Sequence, residues 1–196
     1  MKLIAISGGI GSGKSMVSAI VRVMGYPVYD CDSRASELMI ASDEVRRQVV
    51  EAFGAQSYRP DGKLNREYLS ATVFGNDVAL ARLNGIVHPA TANDMLQWAS
   101  QQKNRGAVMA FVETALLHTA HLDRVVDEVW HVTAPAHVRV KRVMTRSHLT
   151  SQQVHDRMAA QAVEEEPVAG EQVIINDGLK AVLPQVNKLI RNNQHK

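Results

Sequence analysis

The sequence predicts an α/β fold in which a parallel sheet of five strands lies between two layers of helices. Five short apolar runs are separated by segments with helical periodicity, and a glycine-rich turn follows the first run directly. About seventy residues of helical character then separate the second run from the third. Strands that alternate with helices form βαβ units, whose parallel sheet is covered on both faces.

The five apolar runs are the predicted strands, and glycine, proline or polar residues bound them. They span residues 2–6, 26–29, 107–112, 129–133 and 173–175. A helix is predicted over 16–24, and two others begin near Pro135 and Thr150. The last helix is predicted from an apolar stripe at Leu179, Val182, Leu183, Val186, Leu189 and Ile190.

The helical segment after the second strand is longer than an ordinary crossover, so we expect an inserted subdomain over about 33–104. Ser42 and Asn65 are placed to cap two of its helices, and Pro89 is expected to bend or restart a third. In kinases with a phosphate-binding loop, an insertion at this point holds the phosphate acceptor.

Length and composition indicate one globular domain over 1–196. The hydrophobic content of 45% is enough for a core, and a net charge of +2 gives no indication of a nucleic-acid partner. The single cysteine, Cys31, excludes an intrachain disulfide, and no apolar stretch approaches the ~18 residues of a membrane span. We therefore expect a cytoplasmic protein without a membrane partner.

Residues 8–15 read G-x-x-x-x-G-K-S, the sequence of a phosphate-binding loop between a strand and a helix. Its glycines allow several backbone N–H groups to point at one anion, and the helix adds its positive end. The Lys14 ammonium can reach the β- and γ-phosphates of ATP, and the Ser15 hydroxyl can ligate Mg²⁺. The predicted nucleotide-binding residues here are Gly8, Gly11, Ser12, Gly13, Lys14, Ser15 and Met16.

Two carboxylates, Asp30 and Asp32, follow the second predicted strand, at the edge of the sheet where α/β proteins carry their sites. There they can hold Mg²⁺ or accept a proton from an acceptor hydroxyl. Asp32 can also cap a helix that starts at Ser33, and the two roles are compatible.

Arg139, Arg142 and Arg146 are spaced three and four residues apart, so one helical face carries all three. A triphosphate would offset their mutual repulsion, and guanidinium groups match phosphate oxygens; a solvated basic face is the alternative. Residues 145–149 are predicted as the hinge of a lid over about 139–165, which would exclude water from the site.

The remaining polar residues are weaker candidates. His88 is either a structural or a catalytic histidine, and the run 164–166 is expected to be a solvated helix end. The third predicted strand ends in Glu113, where a motor ATPase would usually have aspartate, and the guanine-binding N-K-x-D motif of GTPases is absent. This combination favours a small-molecule kinase.

Several motifs, in this order and at these distances, resemble the dephospho-CoA kinase family over nearly the whole chain. They are the loop at 6–15, D-x-D at 30–32, G-x-L-x-R at 62–66, H-P at 88–89, R-x-x-x-R at 142–146, Gln161 and V-I-x-N at 173–176. One departure is at 113–119, where the family's P-L-L-F-E pattern would place a glutamate near Thr119.

The resemblance implies a P-loop kinase with a three-layer sandwich fold that uses ATP and Mg²⁺ to phosphorylate the 3′-hydroxyl of dephospho-CoA. It implies catalytic roles for Asp32, Lys14 and Arg142. The implied acceptor-binding residues are Asp30, Asp32, Arg66 and His88, and Asn176 is implied near the adenine of ATP. We expect a monomer or a small homo-oligomer. A kinase for another small molecule or nucleotide, and a non-catalytic ATP sensor, are the alternatives.

Overall fold

The structure is a computed structural model that describes residues 1–147, 149–164 and 166–194. His148, in the predicted hinge, and Glu165, in the predicted acidic helix end, lie outside the described residues. The chain forms two compact units, of which the first comprises Met1–Asp30 with Ala99–Lys196 and the second comprises Cys31–Trp98.

The first unit contains one parallel sheet with the strand order β2-β3-β1-β4-β5, which confirms the predicted five-stranded α/β fold. The strands are β1 (Lys2–Ser7), β2 (Val28–Asp30), β3 (Met109–Glu113), β4 (Glu128–Thr133) and β5 (Gln172–Ile175). β1 is central, and the connections between parallel neighbours are helical, so the sheet has helices on both sides.

Eight α-helices are present among the described residues. They are α1 (Lys14–Val23), α2 (Cys31–Ala41), α3 (Asp43–Phe53), α4 (Arg66–Val73), α5 (Asp77–Asn104), α6 (Ala136–Ser147), α7 (Ser151–Ala160) and α8 (Val182–Gln194). None of them is both long and apolar enough to span a membrane.

The core of the sheet unit is built from strands β1, β3 and β4, with α1 and α8 packed on them. Ile4, Phe111 and Trp130 are fully buried, and the rings of Phe111 and Trp130 lie 5.0 Å apart. The second strand starts two residues later than predicted: Pro27 accepts from the Phe111 N–H at 2.9 Å but has no N–H of its own to donate to the ladder.

The predicted apolar stripe of the last helix is only partly confirmed. Val182, Val186, Leu189 and Ile190 are buried in the core, as predicted. Leu179 is 92% exposed, because it precedes α8 in a turn in which Asp177 accepts its backbone N–H. Leu183 lies inside α8 but faces solvent.

The helical unit has its own core, in which residues of α3 and α4 meet Tyr58 and Leu64. Both predicted caps are confirmed: Ser42 Oγ accepts from the Val45 N–H, and Asn65 Oδ1 accepts from the Tyr68 N–H, each at 3.3 Å. Pro89 does not restart a helix, because α5 continues through it.

The strand register determines which residues meet at the carboxyl edge of the sheet. Ile6 of β1 and Asp30 of β2 both lie opposite Glu113, the last residue of β3. On the other side of β1, Ser7 lies opposite His131 of β4. The turn that follows Ser7 therefore begins at the centre of this edge, beside the ends of all neighbouring strands.

Candidate active site

The turn between β1 and α1 is a tight loop that only glycine can build at its key positions. Gly8 and Gly13 have φ values of 130° and 102°, in the left-handed region that side chains rarely adopt. A Cβ atom would lie 2.2 Å from the Val132 carbonyl oxygen at Gly8 and 2.0 Å from Asn176 Nδ2 at Gly13. Close packing and backbone conformation therefore both require glycine.

The backbone carbonyls at the two ends of the loop are occupied by hydrogen bonds from within the same segment. Lys14 Nζ lies 2.7 Å from the Gly8 carbonyl oxygen and 3.3 Å from that of Gly9, so the ammonium bridges the loop. The Gly13 carbonyl accepts from the Met16 N–H at 3.0 Å, in the first turn of α1.

Arg142 of α6 and Asn176, directly after β5, hold the middle of the loop. Arg142 Nη1 donates to the carbonyls of Gly11 and Ser12 at 3.4 and 3.3 Å, and its Nη2 donates to Asn176 Oδ1 at 3.2 Å. Asn176 is 4% exposed, and its Nδ2 donates to the Ser12 carbonyl at 2.9 Å. Both predicted nucleotide-binding residues thus contact the loop itself.

Arg139 and Arg146 occupy different environments, although both were predicted on one phosphate-binding face with Arg142. Arg139 is 5% exposed, and its Nε donates to the Ile10 carbonyl at 2.8 Å. Arg146 is exposed and lines an open cleft of about 600 Å³ along α6, together with Lys141 and Arg142. The difference arises because the first turns of α6 pack directly on the loop at Gly11.

The start of α1 carries a lysine and a hydroxyl side chain directly after the loop. Ser15 follows Lys14 in the first turn of α1, and Met16 is half exposed there. The Ser12 hydroxyl is buried and makes no hydrogen bond to any part of the chain that the structure describes. No group of three or more His, Cys, Asp or Glu residues is arranged to hold a metal ion within the same described residues.

Two carboxylates end neighbouring strands beside this loop, Asp30 on β2 and Glu113 on β3. Burial raises the pKa of Glu113, and the Asp30 carboxylate adds to the rise, whereas the Ser18 hydroxyl, Lys14 and Arg22 oppose it. The sequence indicated Glu113 as the end of a strand and as a partial substitute for the glutamate that the family has near 119. Its position at the carboxyl edge is the signal that assigns it to the site.

The other predicted site residues lie in the helical unit. The sequence offered Asp32 as a possible cap of a helix that starts at Ser33, but α2 already begins at Cys31, so Asp32 is not its N-cap. Asp32 instead lies exposed in the first turn of α2, where the helix dipole favours negative charge. Arg66 is exposed at the start of α4. His88 is half-buried in α5, and burial lowers its pKa, so the imidazole is neutral at pH 7.

The prediction that residues 164–166 form a solvated helix end is wrong for Glu164, which is 1% exposed. Its Oε1 accepts hydrogen bonds from the N–H groups of His118 and Thr119, both at 2.9 Å, and from Thr119 Oγ1 at 3.1 Å. After α7 the chain turns into a short 3-10 helix that directs this carboxylate inward. Glu166 is exposed, as predicted.

Two more side chains attach residues 161–171 to the sheet unit. At one end, Gln161 Oε1 accepts from the Ile10 N–H at 2.9 Å. At the other end, the Glu171 carboxylate lies 3.2 Å from His118 Nε2 and 3.5 Å from His131 Nδ1. The segment after α7 is thus fixed to the loop, to residues 118–119 and to β4. None of these contacts follows from a local sequence pattern.

Comparisons with known proteins agree with this geometry. The family model described as dephospho-CoA kinase matches residues 2–181. A dephospho-CoA kinase from Porphyromonas gingivalis is 34% identical over 192 residues, which cover 97% of this chain and 93% of that protein. The crystal structure of TT1252 from Thermus thermophilus has a TM-score of 0.78 and 28% identity, with 99% of this chain and 96% of that chain covered.

A dephospho-CoA kinase from Campylobacter jejuni has a similar fold. Its structure has a TM-score of 0.68 at 19% identity, and the similarity covers 98% of this chain and 97% of that chain. This likeness supports the three-layer architecture.

The raised pKa of Glu113 predicts a specific pH dependence of stability. A carboxyl that binds its proton more tightly in the folded chain lowers the free energy of unfolding as the pH rises from 4.5 through its folded pKa. Glu113→Gln removes this titration. We therefore expect the variant to gain unfolding free energy relative to the parent above pH 4.5 and to differ little below it, as measured by urea unfolding over a pH series.

Glu128→Gln is the matched control, with the opposite sign. Burial acts to raise the pKa of Glu128, but hydrogen bonds from Lys2, Trp130 and Asn193 outweigh it and lower the pKa below 4.5. The stabilising contribution of Glu128 is present above pH 4.5 and is lost as the pH falls through its folded pKa. Glu128→Gln should therefore lose stability at neutral pH, and a gain in both variants would contradict the analysis.

Proposed function

Because the chain belongs to the dephospho-CoA kinase family, we propose that it transfers the γ-phosphoryl group of ATP to the 3′-hydroxyl of dephospho-CoA. The products are CoA and ADP, and the reaction is the final step of CoA biosynthesis. The observation that carries the proposal is the phosphate loop at the centre of the sheet edge, with Lys14, Arg142 and Asn176 converging on it.

The loop and its side chains act on the triphosphate by positioning and electrostatics. Phosphoryl transfer needs little covalent chemistry from the protein, so charge stabilisation accounts for most of the catalysis. Lys14 moves from the Gly8 and Gly9 carbonyls to the β- and γ-phosphate oxygens. Arg142 stabilises the charge on the transferring group, and Asn176 lies on the nucleotide side of the loop.

The acceptor is bound and activated by Asp32 and other residues near and within the helical unit. The Asp32 carboxylate orients the 3′-hydroxyl and accepts its proton as the bond to phosphorus forms. It is exposed on the first turn of α2, so a substrate can reach it. Asp30 supports this carboxylate, and Arg66 and His88 bind the acceptor. A neutral His88 donates or accepts hydrogen bonds without adding charge.

We also propose Mg²⁺ as the metal cofactor. The oxygen ligands present fit this ion, because Mg²⁺ in kinases is held by few protein groups and completes its shell with phosphates and water. Ser15 would hold it, and it would neutralise the charge that develops on the phosphates. We further propose that the enzyme works in the cytoplasm as a monomer or small homo-oligomer, without nucleic-acid or membrane partners.

Activity on dephospho-CoA tests the proposed reaction directly. Purified protein with Mg-ATP and dephospho-CoA should form CoA, measured by chromatography with mass detection. A panel of nucleoside monophosphates and shikimate should be phosphorylated at least 100-fold more slowly, on the order of what a site built for one polar acceptor achieves. Comparable turnover of another acceptor would support the alternative small-molecule kinase, and ATP binding without turnover of any acceptor would support a sensor.

Lys14→Ala should lower kcat for CoA formation on the order of 10³-fold, because it removes the ammonium that neutralises the transferring phosphates. Lys188→Ala is the control, since Lys188 is an exposed lysine on α8. The phosphate-binding role would be contradicted by a Lys14→Ala enzyme within twofold of this control.

Asp32→Ala should bind ATP with nearly parental affinity but lose about 10²- to 10⁴-fold in kcat, the usual contribution of a positioned base. Asp43→Ala is a matched control, because Asp43 is likewise exposed in the first turn of a helix, α3. Isothermal calorimetry gives the ATP affinity, and CoA formation gives kcat. Unchanged transfer by Asp32→Ala would remove this residue from the mechanism.

A further inference from the structure

One residue of the phosphate loop, Ile10, has both of its backbone polar groups bound by side chains from later in the chain. Its N–H donates to Gln161 Oε1 at 2.9 Å, and its carbonyl accepts from Arg139 Nε at 2.8 Å. Gln161 is the C-cap of α7, and Arg139 lies in α6. The two helices of the predicted lid region therefore both attach to the same residue.

The first turns of α6 are in direct contact with the loop. A Cβ atom at Gly11 would lie 2.8 Å from the Arg139 carbonyl oxygen and 2.9 Å from Val143 Cγ2. Arg139 is 5% exposed, so its guanidinium is enclosed where it meets the Ile10 carbonyl. A hydrogen bond from a charged, desolvated donor is stronger and better oriented than one in water.

We propose that Gln161 and Arg139 are positioning residues for ATP, which act by fixing the orientation of the Ile10 residue. With these two groups held, the loop does not need to be ordered when the triphosphate arrives, so less of the binding energy is lost to ordering. Neither side chain touches the phosphates in this role. The inference deepens the proposed function, since it concerns how the same loop is prepared for its nucleotide.

The bond from Gln161 is the better one to test, because Gln161 lies at the end of a helix and is only half-buried. Gln161→Met keeps the length of the side chain but removes the acceptor for the Ile10 N–H. Gln161→Glu keeps an acceptor oxygen at the same place. Gln152→Met is the matched control, because Gln152 is an exposed glutamine of α7 whose side chain donates to Asp156 Oδ1 of the same helix at 2.9 Å.

We expect Gln161→Met to bind a non-hydrolysable ATP analogue about fivefold more weakly than the Gln152→Met control, which corresponds to the loss of one hydrogen bond. Amide exchange at Ile10, followed by NMR, should accelerate about fivefold in Gln161→Met and remain slow in Gln161→Glu. The KM for dephospho-CoA and the melting temperature should match the control.

Two outcomes would overturn the proposal: unchanged exchange at Ile10 in Gln161→Met, or analogue affinity equal to that of the control, whether or not the melting temperature falls. The last outcome would assign Gln161 a merely structural role. The two main measurements, analogue affinity and amide exchange at Ile10, need only an ATP analogue or the free protein. A parent enzyme that fails to phosphorylate dephospho-CoA would therefore refute the proposed function separately, while this comparison would still be decisive.

Discussion

The site depends on how the backbone carbonyls of the phosphate loop are occupied. A carbonyl oxygen that faced a triphosphate would repel it, whereas an N–H group attracts it. Every carbonyl from Gly8 to Gly13 accepts a hydrogen bond from the protein, through Lys14, Arg139, Arg142, Asn176 or the first turn of α1. With its carbonyls turned toward these donors, the loop can present to an anion N–H groups other than those of Ile10 and Ser12, which donate to Gln161 and Gly9.

The parallel sheet explains why donors from distant parts of the sequence reach this loop. β4 and β5 lie side by side, with Thr133 opposite Ile175, and the Asn176 N–H donates to the Thr133 carbonyl at 2.8 Å. The chain therefore leaves β5 at the same edge where the loop leaves β1. Because α6 follows β4 directly, the arginines in its first turns lie at this same edge of the sheet. Strand order, rather than proximity in sequence, assembles the site.

Much of this arrangement could be predicted because its signals are local. The glycines of the loop, the apolar strands and the caps Ser42 and Asn65 each follow from a few neighbouring residues, and the structure confirms them. The burial of Arg139 and Glu164 could not be predicted, because each is buried by partners more than 40 residues away in sequence. Charge alone favours a solvated position, and only tertiary contacts override that preference.

The three arginines of α6 show how the structure separates roles that one sequence pattern could not. Arg139 makes a short bond of 2.8 Å in an enclosed position, so moving it would break the hydrogen bond that holds the Ile10 carbonyl. Arg142 makes longer bonds of 3.2 to 3.4 Å and borders the cleft along α6. Since long hydrogen bonds are weak, Arg142 can turn toward a phosphate at little cost. The helix thus combines one arginine that holds the loop with one that, in the function proposed above, turns to the transferring phosphate.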